Sequence, residues 1–99
     1  MTEPREVLLA ILQAMRELLA LPGNDFVWSS WKGSDHALAE WDGLIAAVHR
    51  GEFPREQLEL LFLPTGDLQE VSMSSGWTQQ YLELASKVDD AVVRLAGHL

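Results

Sequence analysis

"LFLPTGDLQEVSMSSGW", residues 61–77, separates two possible folds, because it can be interpreted in two ways. In a helical interpretation, Pro64 ends one helix and Asp67 with Glu70 forms a capping box, in which two side chains bond the free amides at a helix start. The box would open a short helical turn over residues 68–73. On this interpretation the stretch only connects helices.

The rival interpretation is a β-hairpin with Thr65-Gly66 at its tip, which would pair residues 58–63 with residues 68–73. In the helical alternative, Gly66 instead supplies the positive φ that lets the chain reverse. The preceding "PREQLELLFLP", residues 54–64, has a proline at a first helical position, a glutamate in the first turn and no β-branched residue. These features favour a helix of about ten residues there.

Three longer segments have apolar residues three and four apart, the period of an amphipathic helix. They are predicted to run from about Glu3 to Leu21, from about Asp35 to Arg50 and from about Trp77 to Ala96. Together with the segment above, they predict an all-α fold: a single domain, residues 1–99, built as a bundle of four helices with a short extra turn near 68–73. The alternative is an α+β domain with a β-hairpin at 58–73.

The first helix carries an apolar stripe that covers about half of its circumference. A stripe this wide needs neighbours on two sides. The helix is therefore predicted to be the centre of the bundle, or to pack also against a second copy of the chain. Trp41 and Trp77 lie on the apolar stripes of their own helices and are predicted core residues.

The chain has 99 residues, a net charge of −8 at pH 7 and no cysteine. Phosphate backbones repel a negative surface, which argues against nucleic-acid binding. A small domain without disulfides is typical of a reducing compartment, so a cytoplasmic protein is expected. The sequence shows neither the basic start of a signal peptide nor an apolar run of membrane-spanning length, so no membrane association is expected.

Neither a metal site nor a catalytic site is predicted. His36 and Glu40 lie four apart on the second helix, but no third ligand converges with them. Ser29 and Lys32 match the S-x-x-K pattern of acyl-transfer enzymes, yet that pattern is common by chance and its accompanying motifs are missing. We therefore expect no enzyme activity and no cofactor.

Aromatic and acidic residues are the candidates for a binding surface. "PGNDFVWSSWKG", residues 22–33, is predicted to contain one helical turn that places Trp28 and Trp31 on the same side, as anchors for a partner or as a packed lid. The acids of residues 34–63 would form one field beside this turn if the second and third helices are neighbours. Gln69 has no structural role that the sequence assigns. The predicted partner-binding residues are Trp28, Trp31, Asp35, Glu40, Asp42, Glu56, Glu59 and Gln69.

Three parts of the chain together resemble a group of small uncharacterised acidic bacterial proteins. These carry an LF-x-PTG-x-LQE-x-S signature followed by GW at the start of a terminal helix, as residues 61–77 do here. The resemblance includes "WKGSDHALAEWDGLIAAV" and "YLELASKVDDAV" and spans about Asp25 to Val92. The group has no known activity, so the resemblance implies no catalytic residues. Small acidic bacterial proteins are often antidotes to a toxic partner, which suggests that role by analogy.

The leading hypothesis is a non-enzymatic protein-binding module, an antidote or immunity-type inhibitor of a basic protein partner, because an acidic field steers a basic partner. One alternative is a structural or homo-oligomeric protein that forms a homodimer through the apolar face of the first helix. Another is a binder of a small apolar ligand that tryptophans line between helices. Acidity also fits plain solubility without a binding role.

Overall fold

The computed structural model describes residues 3–62 and 66–97. Within these residues the chain forms five helices and no strand: α1 Pro4–Leu19, α2 Ser34–His49, α3 Arg55–Leu61, α4 Asp67–Ser75 and α5 Thr78–Gly97. The all-α prediction is confirmed, with one helix more than expected. Nowhere in this part of the chain is a helix both long and apolar enough to span a bilayer.

The described part of residues 61–77 is mostly helical, so the β-hairpin alternative is wrong. The short turn expected at residues 68–73 belongs to the nine-residue helix α4, whereas α3 is a seven-residue helix, shorter than expected. Leu68 and Val71 lie three apart on α4 and are completely buried. This burial stabilises α4, because helices this short seldom form in isolation. The expected hairpin tip at Thr65 lies outside the described residues.

Gly76 ends α4 and leads the chain into α5. Gly76 has a φ of 84°, in the left-handed region, and its amide donates to the Ser72 carbonyl at 3.0 Å, which ends α4. Gly66, where a positive φ is expected, is extended instead, with a φ of −83°. The expected capping box is also wrong, since no side chain caps the first turn of α4 and the Asp67 carboxylate binds Ser30.

α1 is the central helix of the fold. It packs against both α2 and α5, while α4 packs against α5. The buried residues of α1 are Leu8, Ile11, Leu12, Met15 and Leu19. The broad apolar stripe is thus covered by two neighbours within one chain.

Trp41 lies in the core, as predicted, and joins α2 to α1. The side chain has no exposed surface, and its indole N–H donates to the Leu12 carbonyl at 2.8 Å. Phe62 tilts against Trp41 with ring centroids 6.1 Å apart, and it stacks on Tyr81 of α5 at 6.2 Å. This aromatic row connects α2, the end of α3 and α5 in one apolar cluster.

Candidate functional site

The loop between α1 and α2, residues 20–33, borders the candidate site and is held by side chains from distant parts of the chain. The Asn24 amide nitrogen donates to the carbonyls of Leu18 and Leu19, at 2.8 and 3.0 Å. The Asn24 amide oxygen accepts the indole N–H of Trp77 at 2.9 Å. One side chain therefore closes the end of α1 and satisfies Trp77, which is 3% exposed and lies in the core as predicted.

Helix α4 holds the same loop at two further points. The backbone amide of Asp25 donates to the Ser75 hydroxyl oxygen at 2.9 Å. The Ser30 amide donates to Asp67 Oδ1 at 2.9 Å, and the Ser30 hydroxyl donates to the second carboxylate oxygen. Because these partners lie 50 and 37 residues apart, only the tertiary fold brings them together.

The two tryptophans of this loop do not share a face, so that prediction is wrong. Trp31 is 3% exposed, meets Phe26 edge-on at 6.4 Å and donates its indole N–H to Glu40 Oε2 at 2.7 Å. Trp28 is 72% exposed. A single hydrogen-bonded turn spans residues 26–29, with the Ser29 amide donating to the Phe26 carbonyl at 3.0 Å. The turn does not continue to Trp31, so a spacing of three does not align the two side chains. Trp31 is a core residue, and Trp28 is the one available to a partner.

Asp42, one of the predicted site residues, forms an ion pair that ties α2 to α1. Arg16 Nε lies 2.6 Å from Asp42 Oδ1, and Arg16 Nη2 lies 3.2 Å from Asp42 Oδ2. The hydrogen bond from the guanidinium, together with its charge, lowers the pKa of the Asp42 carboxyl below its ordinary value. Two more acids of the predicted field are neutralised in the pairs Arg50–Glu52 at 2.7 Å and Arg55–Glu59 at 2.9 Å. Asp42 and Glu59 therefore add little net charge to a partner surface.

Two other acids that were predicted to bind a partner, Glu40 of α2 and Glu56 of α3, meet at a surface groove between α2, α3 and α4. This groove, termed the acidic groove, has a volume of about 400 Å³ and is lined by Glu40, Glu56, Gln57, Leu60, Leu61 and Asp67. Its three carboxylates come from three different helices. Asp67 is missing from the predicted site because the local pattern assigns it to a capping box. No local signal reveals its position, since its partner Ser30 lies 37 residues away.

Two carboxylates of the acidic groove accept hydrogen bonds from neutral donors. Glu40 is held by the indole N–H of Trp31, and Asp67 is held by the amide and hydroxyl of Ser30. These donors are neutral, so they orient a carboxylate without cancelling its charge. Within residues 3–62 and 66–97, none of the three groove acids forms an ion pair, and no lysine or arginine lines the groove.

Exposed apolar side chains occur in the acidic groove and in the loop of residues 20–33. Leu60, in the groove, is 65% exposed, and Val27 and Trp28 are 77% and 72% exposed. Val27 and Trp28 precede Ser30, whose backbone amide is bonded to the groove residue Asp67. Leu60 thus lines the groove together with the carboxylates, whereas Val27 and Trp28 belong to the loop that bonds to two of them. This combination of features suits a partner surface that contains both basic and apolar residues.

Two predicted site residues lie away from the acidic groove. Asp35 is exposed in the first turn of α2. Gln69 lines a separate cleft of about 290 Å³ together with Phe62, Tyr81, Leu82, Ala85, Ser86 and Asp89. Burial of the Tyr81 hydroxyl, with a smaller contribution from the charge of Asp89, raises the pKa of that hydroxyl. Gln69 and Asp35 therefore do not join Glu40 and Glu56 in one site.

Ser29 of the S-x-x-K pattern and His36 form hydrogen bonds with backbone atoms of the loop of residues 20–33. The Ser29 hydroxyl donates to the Phe26 carbonyl at 2.8 Å and accepts the Trp31 amide at 3.2 Å. His36 Nδ1 accepts the Lys32 amide at 3.0 Å. In the described ranges of the chain, no three histidine, aspartate or glutamate side chains converge as a metal ion would require.

Comparison of the chain with family models, with curated proteins and with solved structures gives no match. Activity, substrate and partner therefore have to be inferred from the residues themselves. The acidic groove and the exposed Trp28 in the adjoining loop are the features from which we infer a function.

Proposed function

We propose that this protein is a non-enzymatic protein-binding module, an antidote or immunity-type inhibitor that binds a basic protein at the acidic groove. The observation that carries the proposal is the set of uncompensated carboxylates of Glu40, Glu56 and Asp67, in a groove whose bordering loop exposes Trp28. The resemblance to small acidic bacterial proteins supports the antidote role by analogy. A chain without cysteine suits a reducing compartment, so we place the interaction in the cytoplasm.

The charge of the protein would act mainly on the approach of the partner. The net charge of −8 attracts a basic protein over long range, and carboxylates gathered in a concave surface concentrate that attraction at one place. Such steering raises association rates and weakens as salt screens the field, with a Debye length of about 8 Å at physiological ionic strength. Acids already paired with arginine contribute less, because the pair has almost no net charge.

The exposed apolar side chains would hold the complex once it has formed. Trp28 is the only tryptophan of the chain that the structure leaves largely exposed, because Trp31, Trp41 and Trp77 are buried. Tryptophan is enriched among residues whose truncation weakens interfaces most. We therefore assign Trp28, with Leu60 in the groove, the role of slowing dissociation.

The test begins with affinity capture of the partner from the native host, followed by binding kinetics. A groove variant combines Glu40→Gln, Glu56→Gln and Asp67→Asn, substitutions that remove charge but keep oxygen acceptors for Trp31 and Ser30. A matched control combines Glu52→Gln, Glu59→Gln and Asp90→Asn, which removes the same charge from acids that pair with local arginines. The groove variant should associate on the order of tenfold more slowly, with a flatter salt dependence. The control should change association much less.

Two results would contradict this electrostatic account. The captured partner could prove acidic, in which case the groove would repel it. Alternatively, the two triple variants could slow association equally, which would mean that only the total charge matters and that the acidic groove has no special role. Both variants must first melt near the parent temperature, so that unfolding is not mistaken for lost binding.

The proposed role of Trp28 has its own kinetic signature. Trp28→Ala should leave association nearly unchanged and speed dissociation by a factor of about thirty, the equivalent of 2 kcal/mol at an interface hot spot. Val93→Ala is a suitable control, because Val93 is 70% exposed on α5 and does not line the acidic groove. Equal dissociation rates for Trp28→Ala and the parent would remove Trp28 from the interface.

The two alternative functions have less support than the leading proposal. The buried residues of α1 pack against α2 and α5 within one chain, which leaves less apolar surface for a homodimer through that face. In the part of the chain that the structure describes, neither the acidic groove nor the Gln69 cleft is lined by a tryptophan, which gives less support to a small apolar ligand held by tryptophans. Light scattering at micromolar concentration tests the first alternative directly.

A further inference from the structure

A second groove runs along α5, on the other side of α3 from the acidic groove. Between α3 and α5 lies an opening of about 520 Å³, whose apolar lining includes Leu58, Phe62 and Val88. Phe62 and Asp89 also line the Gln69 cleft, so the two openings adjoin, and together they are termed the α5 groove. The groove exists because α5 packs along α1 and α4 but makes no comparable contact with α3.

Both ends of the α5 groove expose a large apolar side chain. Leu82, which lines the Gln69 cleft, is 54% exposed, and Val93, which lines the opening beside α3, is 70% exposed. The two residues lie about three helical turns apart on α5, or about 16 Å along its axis. Exposed apolar side chains that continue an apolar groove are a feature of interaction surfaces.

One uncompensated charge lies where the two parts of the α5 groove meet. Asp89 is exposed and lines both parts. The other charged residues of the lining, Arg55 and Glu59, pair with each other at 2.9 Å. Within residues 3–62 and 66–97, Asp89 forms no ion pair. The net charge of the groove is therefore negative and is located at one point on an apolar surface, which complements a single basic side chain.

A buried hydroxyl in the same groove also has room for a further hydrogen bond. Tyr81 is 1% exposed and lines the Gln69 cleft together with Asp89. Its hydroxyl donates to the Phe62 carbonyl at 3.4 Å, longer than the roughly 2.5–3.0 Å of a good bond between two oxygens. The hydroxyl oxygen is free to accept, so an ammonium group that reaches Asp89 would find a second acceptor in this cleft.

We infer that the α5 groove binds an amphipathic helix of another protein, with the apolar side chains of that helix against Phe62 and Val88 and one of its basic side chains beside Asp89. This inference goes beyond the proposed function, because it uses the other side of α3 and does not require the acidic groove. The net charge of −8 argues against a second copy of this chain as the occupant, since two such acidic surfaces repel each other.

A helix suits this groove better than an extended segment does. The backbone groups of α3 and α5 are already hydrogen-bonded within each helix, so the groove offers few backbone partners to a bound chain. An extended segment would bury unpaired amides and carbonyls against Phe62 and Val88, which costs free energy. A bound helix satisfies its own backbone and presents apolar side chains three and four residues apart on one face.

The experiment uses four fluorescein-labelled helical peptides, each held helical by a hydrocarbon staple. Three carry leucines three and four residues apart on one face and differ only at one position between these leucines, which is lysine, glutamine or glutamate. The fourth has the composition of the lysine peptide, with its leucines distributed around the helix. Fluorescence anisotropy should show that the lysine peptide binds roughly threefold to fivefold tighter than the glutamine peptide, as expected for an exposed ion pair. The glutamate peptide should bind more weakly still, and the fourth should not bind.

Two variants with matched controls assign the binding to the α5 groove. Asp89→Asn should abolish the preference for lysine over glutamine. Glu83→Gln should leave it unchanged, because Glu83 is an exposed acid of α5 that does not line the α5 groove. Leu82→Ala should weaken all three amphipathic peptides, whereas Val27→Ala should not, since Val27 is 77% exposed in the loop of residues 20–33. All four side chains are exposed, so the fold should be retained.

Amide chemical shifts of the protein locate the lysine peptide directly. Residues 55–62 and 82–93 should shift on titration, while Glu40 and Asp67 of the acidic groove should not. Equal affinities for the lysine and glutamine peptides, equal binding of the fourth peptide, shifts centred on the acidic groove, or no binding at all would each overturn the inference. None of these results bears on the proposed function, which is tested by the captured partner and by the two triple variants.

Discussion

The core around α1 and the loop of residues 20–33 are held by different forces. In the core, α1 and α2 meet through completely buried apolar side chains such as Leu12 and Trp41. In the loop, Asn24 and Ser30 form directional hydrogen bonds with side chains and carbonyls of other elements. Apolar contacts depend on the area removed from water, whereas each hydrogen bond depends on one particular pair of atoms.

We expect the core to contribute mainly to stability and the loop mainly to partner binding. The apolar core supplies most of the free energy of folding, because burial of apolar surface is the dominant favourable contribution. The loop buries less, but its polar bonds orient Glu40 and Asp67 and leave Trp28 at the surface. We therefore expect substitutions in the core to change stability most, and substitutions at the loop surface to change binding most.

Trp41→Ala should have the largest effect on stability. It removes a completely buried indole and its bond to the Leu12 carbonyl, and it should lower the free energy of unfolding by about 3–5 kcal/mol. Urea denaturation measures the change, with Trp28→Ala as the control that removes the same side chain from an exposed position. A melting temperature within about two degrees of the parent would mean that Trp41 is not a core residue.

Asn24→Ala should have the next largest effect and tests whether the polar loop contributes to stability. The substitution leaves the Trp77 indole and the carbonyls of Leu18 and Leu19 without their partner, at a cost of about 1–3 kcal/mol. Asn24→Asp keeps the oxygen that accepts from Trp77 and loses the donor, so it should lie between the parent and Asn24→Ala. If Asn24→Ala lowered the free energy of unfolding as much as Trp41→Ala does, the loop would contribute as much to stability as the core, contrary to our expectation.

Asp42→Asn should have a smaller effect that depends on pH. The pKa of the folded Asp42 carboxyl is lowered by the hydrogen bond from Arg16, below the unfolded value of about 3.9. The ion pair therefore stabilises the fold above that pH, and the stabilisation is lost as the pH falls through the folded pKa. Unfolding measured from neutral pH down to about pH 2 should show the parent converging on Asp42→Asn. A stability difference between the parent and Asp42→Asn that stays constant over this pH range would contradict a stabilising ion pair. Arg16→Gln removes the other partner of the pair and should behave like Asp42→Asn.

Trp28→Ala should have the smallest effect on stability, within about 0.5 kcal/mol of the parent, because the side chain is 72% exposed. Its effect should appear in partner dissociation instead. Thermal unfolding followed by circular dichroism measures the stability change. A destabilisation as large as that of Asn24→Ala would show that Trp28 packs onto the fold and is not available to a partner.

The helical core could be predicted from the amino-acid sequence. Apolar residues three and four apart identified α1, α2 and α5, and they placed Trp41 and Trp77 in the interior. Helix periodicity and apolar burial are properties of neighbouring residues along the chain, so a single sequence reveals them. α4 was missed as a full helix, because the burial of Leu68 that stabilises it comes from contacts with other helices.

The tertiary structure alone decided which charges and which tryptophan can meet a partner. The net charge of −8 follows from the sequence, but Asp42 is neutralised by Arg16, 26 residues away, and Asp67 is oriented by Ser30, 37 residues away. The expectation that residues three apart share one face was wrong for Trp28 and Trp31, because no helix includes both residues. Ion pairs and hydrogen bonds act only between atoms a few ångströms apart, about 3 Å for a good hydrogen bond, and only packing brings distant residues that close. Composition therefore established how acidic the protein is, and the fold established where that charge remains free.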